Sequence, residues 1–175
     1  MGTRGAMREL REDLTRALEA AAPTGPDEVF AVLCARLAER RGRPVVLRRV
    51  DFPPGTASGL YLDMADQDVI CVQATTHPLH QMIIFGHEVW HMMAGHGGAH
   101  APGSAVSRAA GDAGLDAPVQ SLAARTDFHR VQETEAETFG LELGTHLRRW
   151  LDGTASSRAG TVARRIQTAL GHRKG

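Results

Sequence analysis

The chain has 175 residues, 42% of them apolar and 23% charged, with a formal net charge of zero. That is enough chain for one domain with a real core, and the composition excludes a disordered polymer. The balanced charge carries no nucleic-acid footprint and no electrostatic membrane anchor, so neither a nucleic acid nor a lipid surface is expected as a direct partner.

Residues 6–20 place Met7, Leu10, Leu14 and Leu18 at three- and four-residue intervals, one face of a helix. The stretch from Met1 to Leu18 is charged throughout and has no apolar h-region, so no signal peptide is expected. No run approaches the roughly 18 apolar residues of a membrane span, and a cytoplasmic protein is the expectation. A second helix follows from about Asp27, with Val29, Phe30, Leu33 and Leu37 inward, and Gly42 and Pro44 end it. Cys34 and Cys71 are the only cysteines, which excludes a Cys-rich metal site and reads as two reduced, buried thiols.

The period then changes. Pro44 to Phe52 is rich in valine and reads as a strand. Gly59 to Met64 and Val69 to Gln73 read as two more, joined by the polar turn Ala65-Asp66-Gln67-Asp68. Thr75 or Thr76 can cap a third helix, with Pro78 in its first turn and Gly95 as its stop. Residues 97–125 are rich in Gly and Ala and read as a flap, with short helices possible at 105–110 and 118–125. Thr126 caps a long helix from about Asp127 to Trp150, and 151–175 is a small basic tail in which Val162, Ile166 and Leu170 make a weak amphipathic helix. The expected fold is α+β, a small three-stranded, largely antiparallel sheet packed against helices. Residues 1–150 form one domain: N-terminal helices at 1–42, sheet at 44–73, third helix at 76–95, flap at 97–125 and long helix at 127–150.

The third helix carries His87-Glu88-Val89-Trp90-His91, a His-Glu-x-x-His pattern. Residues four apart lie one above the other on a helix face, so two imidazoles can bond one ion at about 2.0–2.1 Å. Glu88 projects beside them, placed to reach a water rather than the metal. Histidines set among Met82, Ile83, Phe85, Val89, Trp90 and Met93 need polar partners, and a metal satisfies both at once. A catalytic zinc takes a third protein ligand and keeps one position open. Candidates for that ligand are Glu133 and Glu137, four apart on the long helix; one can bind the metal and the other can orient a ligand histidine. His96 follows His91 by five residues, one short of the metzincin spacing, and reads as a cap-region or pocket histidine and a lesser ligand candidate. His77, His80, His100 and His129 are weaker still. His80 stands two turns from His87, about 10 Å along the axis and too far for one ion. Tyr61, the only tyrosine, reads as sheet packing.

These residues resemble the ImmA/IrrE-type zinc metallopeptidases, relatives of the gluzincins. The likeness lies in three stretches: Ser58-Gly59-Leu60-Tyr61 through Val69-Ile70-Cys71-Val72, His87 through His96, and Glu133-Thr134-Glu135-Ala136-Glu137-Thr138-Phe139. Together they span roughly residues 44 to 147. The resemblance implies a zincin-like fold, Zn2+ as cofactor, Glu133 as third ligand and Glu137 behind the ligands. It is nearest to small members labelled toxin components of toxin–antitoxin systems. The chain departs from the family pattern at Leu141-Glu142-Leu143-Gly144, where Leu-Leu-Met-Pro is common, and in the 42 positions from His91 to Glu133, a longer link than usual.

The function expected is a zinc metalloendopeptidase with Glu88 as general base, its substrate edge at Gly59–Met64 or Val69–Gln73. The family implies a helix-turn-helix transcriptional regulator as protein substrate. Two other readings stand beside it: a zinc-containing regulatory or toxin–antitoxin-type protein that docks to a partner without proteolysis, and a zinc hydrolase of a non-peptide amide.

Overall fold

Met7, Leu10, Leu14 and Leu18 form the buried face of helix α1, Thr3–Ala21. The computed structural model describes residues 2–55, 57–95 and 128–171. Within them follow α2 (Pro26–Arg41), β1 (Val45–Val50), β2 (Gly59–Asp63), β3 (Asp68–Gln73), α3 (Pro78–Ala94) and α4 (Phe128–Gly171). The chain is α+β, as its change of period predicts. The segment 97–125 and the Thr126 cap lie outside the described residues. None of the helices among the described residues is long and apolar enough to cross a membrane.

The sheet order is β1-β3-β2. β1 runs parallel to β3, with Val45 opposite Asp68 and Val50 opposite Gln73. β2 runs antiparallel to β3, with Gly59 opposite Val72 and Asp63 opposite Asp68. The sheet is therefore mixed, not largely antiparallel. The cause is the Val-Ile-Cys-Val run of β3, apolar at successive positions and so suited to a central strand covered on both faces. Ile70 and Val72 join the helical core, while Val69 and Cys71 pack with Val50, Phe52, Leu60, Leu62 and Met64 on the other side. The 51–58 link carries the chain past β3 to the far edge.

Asp68 opens β3 with its side chain fully buried, and arginines from two neighbouring segments converge on it. Arg41 Nε donates to Oδ2 at 2.7 Å and Arg43 Nε to the same oxygen at 2.9 Å. Tyr61 Oη donates to Oδ1 at 2.7 Å, and Arg43 Nη2 also reaches that oxygen. This cluster ties the end of α2, and the link that leads into β1, to β2 and β3. A second buried carboxylate, Asp13 on α1, takes two 2.8 Å bonds from Arg36 on α2.

Helix α3 begins after His77, whose Nδ1 accepts from the Leu79 N–H at 3.3 Å; the cap is this histidine, not Thr75 or Thr76. Pro78 takes the first turn, and Gly95 closes the helix in the left-handed region at φ 71°. Helix α4 does not stop at Trp150. It passes through Gly153 to Gly171, so no break sets the basic tail apart. An interior glycine costs a helix only about 1 kcal/mol relative to alanine, and no proline follows it. Helices α3 and α4 cross on glycine: a Cβ at Gly86 would lie 2.9 Å from the Gly140 Cα.

Candidate metal centre

Helix α3 is wrapped in apolar contacts, with Met82, Phe85, Val89 and Met92 all buried, and this fixes how far it can turn. Its four-residue repeat sets His87 over His91, ring centroids 4.7 Å apart, and brings the two Nε2 atoms to 3.0 Å. Glu133 enters from α4 and straddles the pair. Its Oε2 lies 3.4 Å from His87 Nε2 and its Oε1 3.4 Å from His91 Nε2. Donors held at about 2.0–2.1 Å in a tetrahedron lie about 3.3–3.4 Å apart. The nitrogen pair at 3.0 Å, and each nitrogen at 3.4 Å from its own carboxylate oxygen, lie near that figure, so two nitrogens and a carboxylate can hold one metal ion. The His91 side chain is 1% exposed and that of Glu133 39%, which leaves the cluster deep at one corner and open to solvent at another.

Glycine sets the approach of α4. A Cβ at Gly140 would stand 2.5 Å from the Ile83 carbonyl oxygen and 3.1 Å from the His87 amide nitrogen. Any side chain there would hold α4, and Glu133 with it, away from the histidines. Gly59 plays the same part for the sheet: a Cβ on it would lie 2.6 Å from Glu88 Oε1 and collide with Ile84 Cγ2. The edge strand β2 thus lies directly against the Glu88 carboxylate.

That carboxylate is buried. Burial pushes its pKa up to about 7, with the nearby Glu133 charge adding to the rise; His87 and a hydrogen bond from the Tyr61 backbone N–H oppose it. A carboxyl near neutrality can both take and return a proton at physiological pH. For His87, burial favours the neutral ring, but the contact with Glu133 and the charges of Glu88, Glu133 and Glu137 outweigh it and leave the pKa raised.

Of the residues singled out in the sequence, the structure brings His87, His91 and Glu133 together, with Glu88 alongside. Glu137 is exposed on α4 and stays outside the cluster, acting on His87 only as a nearby negative charge. His96, His100 and the His129 side chain lie outside the described residues. Tyr61 is spent on Asp68 through its hydroxyl and on Glu88 through its backbone. Sequence reasoning missed Gly59, Gly86, Gly140 and Gly144. The four-residue spacing of Gly140 and Gly144 on a helix read as packed was the available signal. Comparison with protein-family models, curated proteins and solved structures finds no match for the chain.

Proposed function

We propose that the protein is a zinc-dependent, zincin-like metallopeptidase, with His87, His91 and Glu133 as metal ligands and Glu88 as general base. The observation that carries the reading is the His87 and His91 Nε2 pair at 3.0 Å, straddled by the two Glu133 oxygens at 3.4 Å each, with a buried carboxylate next in sequence to His87. A structural zinc site is closed by four protein ligands, whereas the three donors found among the described residues, with Glu133 39% exposed, match a catalytic site with an open position. When bound, zinc supplies Lewis-acid polarisation of the scissile carbonyl and makes water more acidic.

The chain's own residues do the rest. Glu88 accepts a proton from the attacking water and returns it to the leaving amine. The Tyr61 N–H fixes the direction of that carboxylate. An extended substrate segment can add to a strand edge through main-chain hydrogen bonds. β3 is paired on both sides, so Val69–Gln73 offers no edge; β2 has no strand on its far side among the described residues. The family resemblance makes a helix-turn-helix regulator the first protein substrate to assay.

Glu88→Gln tests the reading. It keeps the shape and the ligands, so zinc should stay bound while turnover falls by at least about 100-fold. A variant with full activity ends the proposed mechanism. Equal release of a bound regulator by wild type and variant would favour docking without proteolysis.

A further inference from the structure

We propose that Trp90 and Glu135 form a clamp that sets the rotation of α4 about its own axis and so positions Glu133 against the histidine pair; this rests on the metal reading above. Two of the three donors sit on α3 and the third on α4. The glycine contact between the helices fixes their separation, and Ala136, Phe139, Leu143 and Leu147 seat α4 in the core; the contact from Trp90 to Glu135 lies at the Glu133 end of that buried face.

Trp90 immediately precedes His91 and projects from α3 about 100° round the helix from it. Its indole N–H donates to Glu135 Oε2 at 3.4 Å, and its ring lies 5.3 Å from that of Phe139. Glu135 and Phe139 are one turn apart on α4. Glu133, two residues before Glu135, lies about 160° away round that helix. The clamp therefore grips one flank of α4 while the ligand stands on the other.

The leverage is large. A side chain about 5–6 Å from the helix axis moves about 1 Å for a 10° turn, against a ligand tolerance of about 0.2 Å. Trp90 is itself buried in the helical core, and one side of it borders open space. A cavity of about 390 Å³ lies there, lined by Leu10, Arg40, Met93 and Glu135 among others. The hydrogen bond to Glu135 and the ring contact with Phe139 tie this buried indole to α4.

The test measures zinc affinity by competition with a chromophoric chelator, beside thermal denaturation of the metal-free protein. Trp90→Phe keeps a ring and removes the N–H; Glu135→Ala removes the acceptor; Glu135→Gln keeps one. Each of the first two should weaken zinc binding about 10-fold, with the double variant no weaker than either. Glu135→Gln should stay within about threefold of wild type. Leu147→Ala, a core change away from the site, should lower the melting temperature and leave zinc affinity unchanged. The clamp is refuted if Trp90→Phe and Glu135→Ala bind zinc as wild type does, or if Leu147→Ala loses as much affinity as they do. Wild type that takes up no zinc would overturn the metal reading, and the clamp with it.

Discussion

Gly140→Ala adds one methyl group to the protein, and its cost can be worked from the helix crossing. The new Cβ would lie 2.5 Å from the Ile83 carbonyl oxygen, and ordinary contact begins at 3.4 Å, so about 0.9 Å must be found. The obstacle is backbone in mid-helix, which cannot rotate aside, so the helices must part. Glu133 lies two turns along the same helix and moves by a comparable amount, several times the ligand tolerance of about 0.2 Å. We expect zinc affinity to fall about 10- to 100-fold, or about 1.4–2.7 kcal/mol. Overpacking costs about 1–3 kcal/mol of stability, and the better helix propensity of alanine returns about 1 kcal/mol. Gly144→Ala is the control. Its Cβ would meet Ile83 Cγ1 at 2.6 Å, a side-chain atom where Gly140 meets mid-helix backbone. That variant should keep zinc affinity within about threefold of wild type, since its ligands need not move beyond the coordination tolerance. Urea denaturation of the metal-free proteins and a zinc competition titration give both quantities. If Gly140→Ala matches Gly144→Ala in both, the glycine crossing does not place the ligand.

Acid stability tests the Asp68 cluster. Burial alone would raise this carboxyl, but hydrogen bonds from Arg43, Arg41 and Tyr61 outweigh it and hold the pKa below its ordinary 3.8. A lowered folded-state value means that the stability is present above about pH 4 and lost as pH falls through the folded pKa. Asp68→Asn should cost about 3 kcal/mol at pH 7 and flatten the acid limb of the urea-denaturation profile; an unchanged limb would contradict this. Cys71 is fully buried and its thiol is pushed up to about 12 by burial, so it should not react with a colorimetric disulfide reagent at pH 8 until the protein unfolds; Cys34, half-buried and pushed up to about 11, should react slowly. Rapid native-state labelling would refute that. In catalysis, Gly59→Ala should leave zinc bound and lower turnover, since its Cβ collides with Glu88 and Ile84 rather than with a ligand; loss of zinc from this variant would contradict the placement.

Much of this was legible in the sequence because the deciding contacts are local. His87 and His91 share a helix face by spacing alone, and the helix itself is announced by its apolar residues and by Gly95. Spacing alone narrows the third ligand to Glu133 or Glu137, and the family resemblance puts Glu133 first; helix spacing cannot choose, because the choice depends on which side of α4 meets α3, and this is set by Gly140 and Gly86. The strand order was hidden for a related reason. Turn lengths favour neighbours in sequence, whereas β3 is placed by the burial of both its faces. The run Val69-Ile70-Cys71-Val72 carried that signal. Asp68 read as a turn residue; its partners Arg41 and Arg43 stand more than 20 positions away, and no local rule connects them. The continuation of α4 past Gly153 was obscured because a single glycine weakens a helix without ending it.

The most direct measurement is zinc stoichiometry by elemental analysis after equilibration with the metal, on wild type, His87→Ala, His91→Ala, Glu133→Ala and Glu137→Ala. Wild type and Glu137→Ala should each retain one equivalent, and the other three should lose it. Retention of zinc by Glu133→Ala, or none in wild type, would contradict the account.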